Sequence, residues 1–294
     1  MHLVVDGADA FVATGGRDFQ PDLPVVVFIH GAGLDHSVWS LHSRWFAYHG
    51  FSVLAVDLPG HGKSGGAPLP SIETMADWIV ALLDAAGVAE ARIIGHSMGS
   101  LIALEAAARH RGRISSIALI GAAAAMPVHQ DLLAAAAANS QGAMDMVNLW
   151  GHGGPAIIGG SLAPGLWMIG AAQRLLQKAA PGVLYNDLAA CNAYAEGSSA
   201  ASKVTCPATL VLGQRDAMTP LSAGKKLGAA IAGASLTVLK GAGHMLMAER
   251  PDEVLAALRG WRGVASTLKA GGVFQRRAAR ATSAKNNAPR LADA

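Results

Sequence analysis

Ala91-Arg92-Ile93-Ile94-Gly95-His96-Ser97-Met98-Gly99-Ser100-Leu101-Ile102-Ala103-Leu104 is the stretch that decides how the rest of the chain is read. Its centre has the pattern G-x-S-x-G. The apolar run before it suits a short buried strand. The run after it, continuing through Glu105-Ala106-Ala107-Ala108, suits a helix. In that strand–turn–helix setting the pattern marks a sharp turn with the serine at its apex. Gly95 and Gly99 carry no Cβ, so strand and helix can approach closely around a strained Ser97. The serine is then held at the sheet edge with a helix N-terminus behind it.

Outward from this turn, short apolar runs alternate with helical stretches. Strands are expected at 25–29, 53–57, 91–95, 114–120, 208–212 and 236–239, all without polar alternation, as for strands covered on both faces. Helices are expected at 37–49, 72–86, 98–110, 221–232 and 251–262. Ser71 stands at the start of one, and Pro251-Asp252-Glu253 opens the last, with acids at the positive end of the dipole. The alternation predicts an α/β fold with a mostly parallel central sheet and helices on both faces. Residues 3–15 are expected to add an antiparallel hairpin at one edge. Between 120 and 208 no confident strand occurs, which is too long for a structureless loop. Residues 125–202 are therefore read as an inserted helical cap, and residues 1–124 and 203–263 as the core.

Of the 294 residues, 52% are hydrophobic and 15% charged, which supplies a large core and argues against disorder. The net charge of +3 is local. Residues 264–294 carry six cations against Asp293, a net +5, so the remainder carries −2. That excludes a nucleic-acid surface on the body and makes 264–294 a flexible basic tail. The start, Met1-His2-Leu3-Val4-Val5-Asp6, has neither the basic region nor the apolar run of a signal peptide. Met146 to Gln173 contains no Asp, Glu, Lys or Arg, but nine Gly and Pro residues interrupt it, so no stable membrane insertion is expected. Cys191 and Cys206 lack metal spacing and read as free thiols in a reducing, cytoplasmic setting.

A serine hydroxyl becomes a useful nucleophile only beside a base, and the base needs an orienting carboxylate. Gly241-Ala242-Gly243-His244 follows the last strand in a glycine-rich turn, and Gly213-Gln214-Arg215-Asp216 follows strand 208–212. Among the eleven histidines His244 alone occupies the position the chemistry requires. Asp57 also ends a strand, but Leu58-Pro59-Gly60-His61-Gly62-Lys63-Ser64 reads as a structural turn, and Gly121-Ala122-Ala123-Ala124 offers no carboxylate. Ser97, Asp216 and His244 are the candidate catalytic residues. Two backbone N–H groups should receive the oxyanion: Met98, after the serine, and Ala32 in His30-Gly31-Ala32-Gly33.

His30-Gly31, the segment Asp57 to Ser64, Gly95-His96-Ser97-Met98-Gly99, Asp216 and Gly243-His244 together resemble the α/β-hydrolase fold superfamily. The resemblance spans roughly residues 20–263 and implies a Ser–His–Asp hydrolase with a helical cap, similar to carboxylesterases, enol-lactonases and cofactor-free perhydrolases. Ser97 stands where epoxide hydrolases and haloalkane dehalogenases place Asp. The Gly-Pro-Gly that commonly follows the His-Gly turn in carbon–carbon bond hydrolases is missing. Gly60-His61-Gly62-Lys63-Ser64-Gly65 imitates nucleotide-binding loops, but Gly66-Ala67-Pro68 follows instead of a helix, and Asp57 stands where a phosphate loop needs Gly. No metal constellation is evident, and no cofactor is called for.

No Arg or Lys lies between Arg113 and Arg174 to hold a substrate carboxylate, and the cap is rich in Leu, Met, Ile and Trp. The expected substrate is a small, largely apolar carboxylic ester or lactone. Candidate pocket residues are Gly31, His96, Trp150, Trp167 and Met245. Carbon–carbon hydrolysis, acyl transfer and perhydrolysis use the same triad, and a ligand receptor or a lipid-surface protein on this fold are the alternatives from other classes.

Overall fold

A computed structural model of the chain describes residues 1–157, 160, 165 and 167–260. The apolar runs form strands because burial on both faces demands apolar side chains in both directions. β1 (His2–Val5) and β2 (Ala8–Ala13) form an antiparallel hairpin, shorter than the 3–15 expected. β3 (Val25–Ile29), β4 (Ser52–Val56), β5 (Ala91–His96), β6 (Ile114–Ile120), β7 (Ala208–Gly213) and β8 (Ser235–Leu239) run parallel. The sheet order is β1-β2-β4-β3-β5-β6-β7-β8, with β2 antiparallel to β4.

The helices are α1 (Ser40–Ala47), α2 (Ile72–Ala85), α3 (Met98–Arg109), α4 (Gln130–Ala137), α5 (Gln141–Gly151), α6 (Gly154–Ile157), α7 (Met168–Lys178), α8 (Val183–Ala193), α9 (Gly197–Lys203), α10 (Leu221–Ala230), α11 (Leu246–Glu249) and α12 (Pro251–Gly260). Ser71 caps α2 in a reciprocal pair with Thr74, which satisfies amides that have no partner inside the helix. In β3, Val25, Val27 and Ile29 belong to the core layer that also holds the buried residues of α2, α3, α9 and α10. Val26 and Phe28 face the other way, toward α1 and α12.

Three expectations need correction. α9 falls within the segment read as a cap, but it packs against α3 in the layer beneath the sheet. The chain is already back at the sheet by Gly197, where a Cβ would overlap the carbonyl oxygen of Ala124. β8 is not covered on both faces: it is an edge strand, and Leu236 and Val238 are exposed. Helix 37–49 resolves into a 3-10 turn, His36–Trp39, followed by α1. Residues 264–294, and Ile158, Leu162 and Leu166 among the apolar residues of 125–202, lie outside the described residues.

From β3 the chain passes to β4 on one side, then crosses to β5 on the other. Loops leaving neighbouring strands in opposite directions open a crevice at the C-terminal edge of the sheet. Ile29 pairs with Gly95, so the loop after β3 lies beside Ser97. α4, α5, α7 and α8 pack on one another and roof this crevice.

Ser97 sits between β5 and α3 at φ 53°, ψ −119°, which side-chain-bearing residues seldom adopt. A Cβ at Gly95 would overlap the Gly99 carbonyl, and one at Gly99 would overlap the carbonyls of Ile29 and His30. Helix, turn and two strands are thus locked at backbone contact. Gly99→Ala is expected to cost about 3 kcal/mol or more, the range of severe backbone clashes. Urea unfolding measures it, and wild-type stability in the variant would contradict this close approach.

Candidate active site

The Ser97 N–H donates to the Ile120 carbonyl (2.9 Å) and the Ser97 carbonyl accepts from Ser100 Oγ (2.6 Å), so the turn is fixed on both sides. His244 is brought to the same cavity by the loop after β8. Its N–H and that of Met245 both donate to the Gly151 carbonyl, at 2.9 and 2.8 Å. The buried Glu249 carboxylate accepts from the Gly243 N–H (3.1 Å) and the Gly153 N–H (3.0 Å).

His244 Nδ1 lies 2.8 Å from Asp216 Oδ2. The Asp216 carboxylate also accepts from the N–H groups of Met218 (2.9 Å) and Thr219 (2.7 Å) and from Thr219 Oγ1 (2.7 Å). Burial opposes its ionisation, but the electrostatic attraction and hydrogen bond of the His244 N–H and the Thr219 bonds outweigh burial, and its pKa is lowered. An ionised acceptor makes Nδ1 the donor, which leaves the Nε2 lone pair free. Nε2 is buried, has no hydrogen-bond partner, and shares the cavity wall with Ser97. Asp216 and His244 are therefore joined, while the hydrogen bond from Ser97 to His244 is open.

His96 supports the arrangement from below. Its Nε2 lies 2.9 Å from the His244 carbonyl, and the two rings are 4.8 Å apart. Burial and the neighbouring His244 lower its pKa to about 3, so it is a neutral donor there.

The loop after β3 is held by two other histidines. His30 contacts the Gly31 carbonyl through Nδ1 (2.9 Å) and accepts the Leu58 N–H at Nε2 (3.2 Å). Burial and the charge of His61 lower its pKa to about 4. His61 is in the opposite state. Its Nδ1 faces the Pro59 carbonyl (3.0 Å) and its Nε2 faces Asp187 Oδ2 (2.8 Å), so both nitrogens must donate. Burial works against this charge, but Asp187 prevails and the pKa is raised. The same Asp187 oxygen accepts the Gly33 N–H at 2.8 Å, and the Leu34 N–H closes the turn onto the Gly31 carbonyl at 3.2 Å. Ala32 lies inside this turn, and its N–H donates to no protein group among the described residues. The Met98 N–H is in the first turn of α3, where amides have no helical acceptor.

Asp57 is committed elsewhere. It accepts from the His36 N–H (2.7 Å), His36 Nδ1 (2.8 Å) and the Lys63 N–H (2.9 Å), which fixes the turn expected to be structural. Asp35, His36 and Asp57 hold ligand atoms within 4.8 Å of one another, but these hydrogen bonds already occupy Asp57 and the His36 ring.

The cavity measures about 380 Å³. Gly31, Ala32, His96, Ser97, Trp150, His244 and Met245 line it, as does Thr219. Trp167 does not: it is 74% exposed and lies outside the cavity, which corrects its place among the pocket candidates. It precedes α7, and the inward face of that helix is taken by the smaller Ala172 and by Leu176. Thr219 and Asp187 escaped the sequence reading. Thr219 had a signal, its place three residues after an acid that turns the chain. Asp187 had none, because 126 residues separate it from His61.

The model of the alpha/beta hydrolase family matches residues 26–257. A pimeloyl-(acyl-carrier protein) methyl ester esterase from Chromobacterium violaceum is 30% identical over 263 residues, covering 84% of this chain and 96% of that one. A putative carbamate hydrolase from Klebsiella pneumoniae is 28% identical over 257 residues, covering 81% and 91%. The enol-lactonase from Burkholderia xenovorans superposes with a TM-score of 0.76 at 24% identity, covering 88% of this chain and 98% of that one. The chain belongs to the alpha/beta hydrolase family, and it is a hydrolase. Among the described residues no helix is long and apolar enough to cross a membrane.

Burial of histidines fixes the response to acid. The pKa values of His30 and His42 are lowered by burial to about 4, and that of His96 to about 3. Above pH 6.5 these rings are neutral folded or unfolded, so their burial carries no proton-linked penalty. Below 6.5 the unfolded chain binds protons that the folded chain refuses until near pH 4. Stability should fall there by up to about 1.4 kcal/mol per pH unit for each histidine. His61, with a raised pKa, acts in the reverse sense: its contribution is complete below 6.5 and fades as pH climbs through its folded value. Urea midpoints between pH 7 and 4.5 test the balance, and His42→Gln should remove one proton from the slope.

Proposed function

We propose that the protein is a serine hydrolase that cleaves a small, largely apolar, uncharged carboxylic ester or lactone through an acyl-enzyme on Ser97. The observation that carries this reading is the free Nε2 of His244, backed by an ionised Asp216 and set on one cavity wall with a serine at a strained turn. Nε2 takes the Ser97 proton as Oγ bonds to the substrate carbonyl carbon. The carbonyl oxygen becomes an oxyanion, and the N–H groups of Ala32 and Met98 receive it. The tetrahedral adduct then collapses, the carbon–oxygen bond to the alcohol breaks, and His244 returns the proton to the leaving oxygen. Water repeats the cycle on the acyl-enzyme. The hydrogen bond from Ser97 to His244 tightens on substrate binding.

Asp216 orients His244, and Thr219 and His96 position the pair. Asp187 fixes the turn that presents Ala32. The helices between residues 125 and 196 serve as the cap, and their apolar inner side receives the substrate. The relatives named as an esterase and an enol-lactonase support ester or lactone chemistry. Buried Cys191 and half-buried Cys206, both unpaired, favour a reducing, cytoplasmic setting.

Ser97→Ala should lower turnover of p-nitrophenyl esters by at least about 10³-fold. A fluorophosphonate should label the native chain and not the variant. Equal turnover in both would falsify the nucleophile assignment, and an inert native serine would favour a ligand receptor. Asp187→Asn should lower kcat about 10-fold or more with little change in KM, part of the 10²–10³ carried by one oxyanion donor. Melting curves recorded alongside separate this from loss of fold.

A further inference from the structure

The cavity wall is apolar on most sides, with Met126, Leu132, Val147, Leu176 and Leu184, and no Asp, Glu, Lys or Arg among its lining residues. Away from His96, Ser97, Thr219 and His244, two buried polar residues interrupt it on α5 and at its C-cap, Asn148 and His152, each about 5% exposed. They stand four positions apart, so both project from the same side of the helix. His152 Nδ1 lies 2.9 Å from the Asn148 carbonyl, which makes Nδ1 the donor and Nε2 an acceptor. Burial lowers the His152 pKa, in keeping with a neutral ring. The Asn148 amide nitrogen donates to Gln173 Oε1, which leaves Asn148 Oδ1 as an acceptor. His152 Nε2 and Asn148 Oδ1 are both buried and have no hydrogen-bond partner.

Apart from the group around Ser97, where His96 Nδ1 and His244 Nε2 are also unpartnered acceptors, the two acceptors on the α5 side of the wall specify the complementary group. A ligand carrying only carbon, or only further acceptors, would leave both buried and unsatisfied, and such sites reject analogues that lack the donor. The lining has no carboxylate to balance an ammonium and no cation to balance an acid, so the complementary group is neutral. We propose that the cavity is a binding site for a substrate bearing a hydroxyl or N–H away from its ester bond, held by Asn148 and His152. This deepens the reading of Ser97 as an ester-cleaving nucleophile, and its kinetic test rests on that reading. A binding test does not.

The kinetic arm compares esters of one chain length that end in hydroxyl, primary amide, methoxy or methyl, over acyl chains of four to eight carbons. The hydroxyl or the amide compound should exceed the methyl compound in kcat/KM by about tenfold or more at the chain length that reaches α5. The methoxy compound, an acceptor only, should fall below both. His152→Leu, and Asn148→Leu combined with Gln173→Met so that no amide is stranded, should bring the hydroxyl-to-methyl and amide-to-methyl ratios of kcat/KM toward one. The binding arm measures the same uncharged esters against full-length Ser97→Ala protein by calorimetry. The donor-bearing ligand should again bind about tenfold tighter. A preference seen in calorimetry without turnover would sink the esterase reading and keep this one. Equal binding across the native series, or a preference for methoxy, overturns the proposal whatever the variants do.

Discussion

The backbone contact between α3 and the strands β3 and β5 governs the rest of the molecule. Gly99 touches the carbonyls of Ile29 and His30, and Gly95 touches Gly99. No other residue type fits those distances, and the pinched geometry drives Ser97 to a positive φ. Two consequences follow together. The serine side chain is turned out of the sheet, and the amide of Met98 is left at the start of a helix, where it has no internal partner. One packing constraint therefore supplies both the proposed nucleophile and half of the proposed oxyanion pocket. The strain is tolerable because the surrounding residues, from Leu101 to Ala107, are almost completely buried and hold the helix down.

Around that contact, single carboxylates each serve more than one interior donor. A single oxygen of Asp187 serves both His61 and Gly33, and one carboxylate of Glu249 serves Gly153 and Gly243. Each joins the sheet loops to the helices above them. Removing one partner of such a pair leaves the other buried and uncompensated, which is far more damaging than never having had the pair. Neutral and charged histidines are sorted by the same logic. His30 meets one acceptor and one donor and stays neutral, whereas His61, whose ring centre lies 4.8 Å from that of His30, meets two acceptors and is charged.

Much of this was legible in the chain. The strands β3 to β7 announced themselves as unbroken apolar runs, and the G-x-S-x-G turn, Asp216 and His244 could be placed because each follows such a run directly. Strand-end position is a local property, and local properties survive in sequence. The misreadings came where the deciding partner is distant. Leu236-Thr237-Val238-Leu239 looks like an interior strand, but nothing in those residues reveals that no strand lies beyond them. α9 is Ala- and Ser-rich like its predecessors, yet Gly197 lets it return to Ala124 and α3. Trp167 stands among the apolar residues of the segment read as a cap, and the helix after it turns other residues inward. The pairing of His61 with Asp187 depends on folding that no spacing rule encodes.

The adjacency of Ala124 and Gly197 carries a further meaning. Because the excursion between them starts and finishes at one spot, a substitute of different size could be grafted there with little entropic penalty and without shifting strand register. Segments of other lengths can occupy that place while the platform stays constant. There is one tether on such freedom: any graft must deliver a negative charge back to His61, or the platform is left with a cation stranded in its interior.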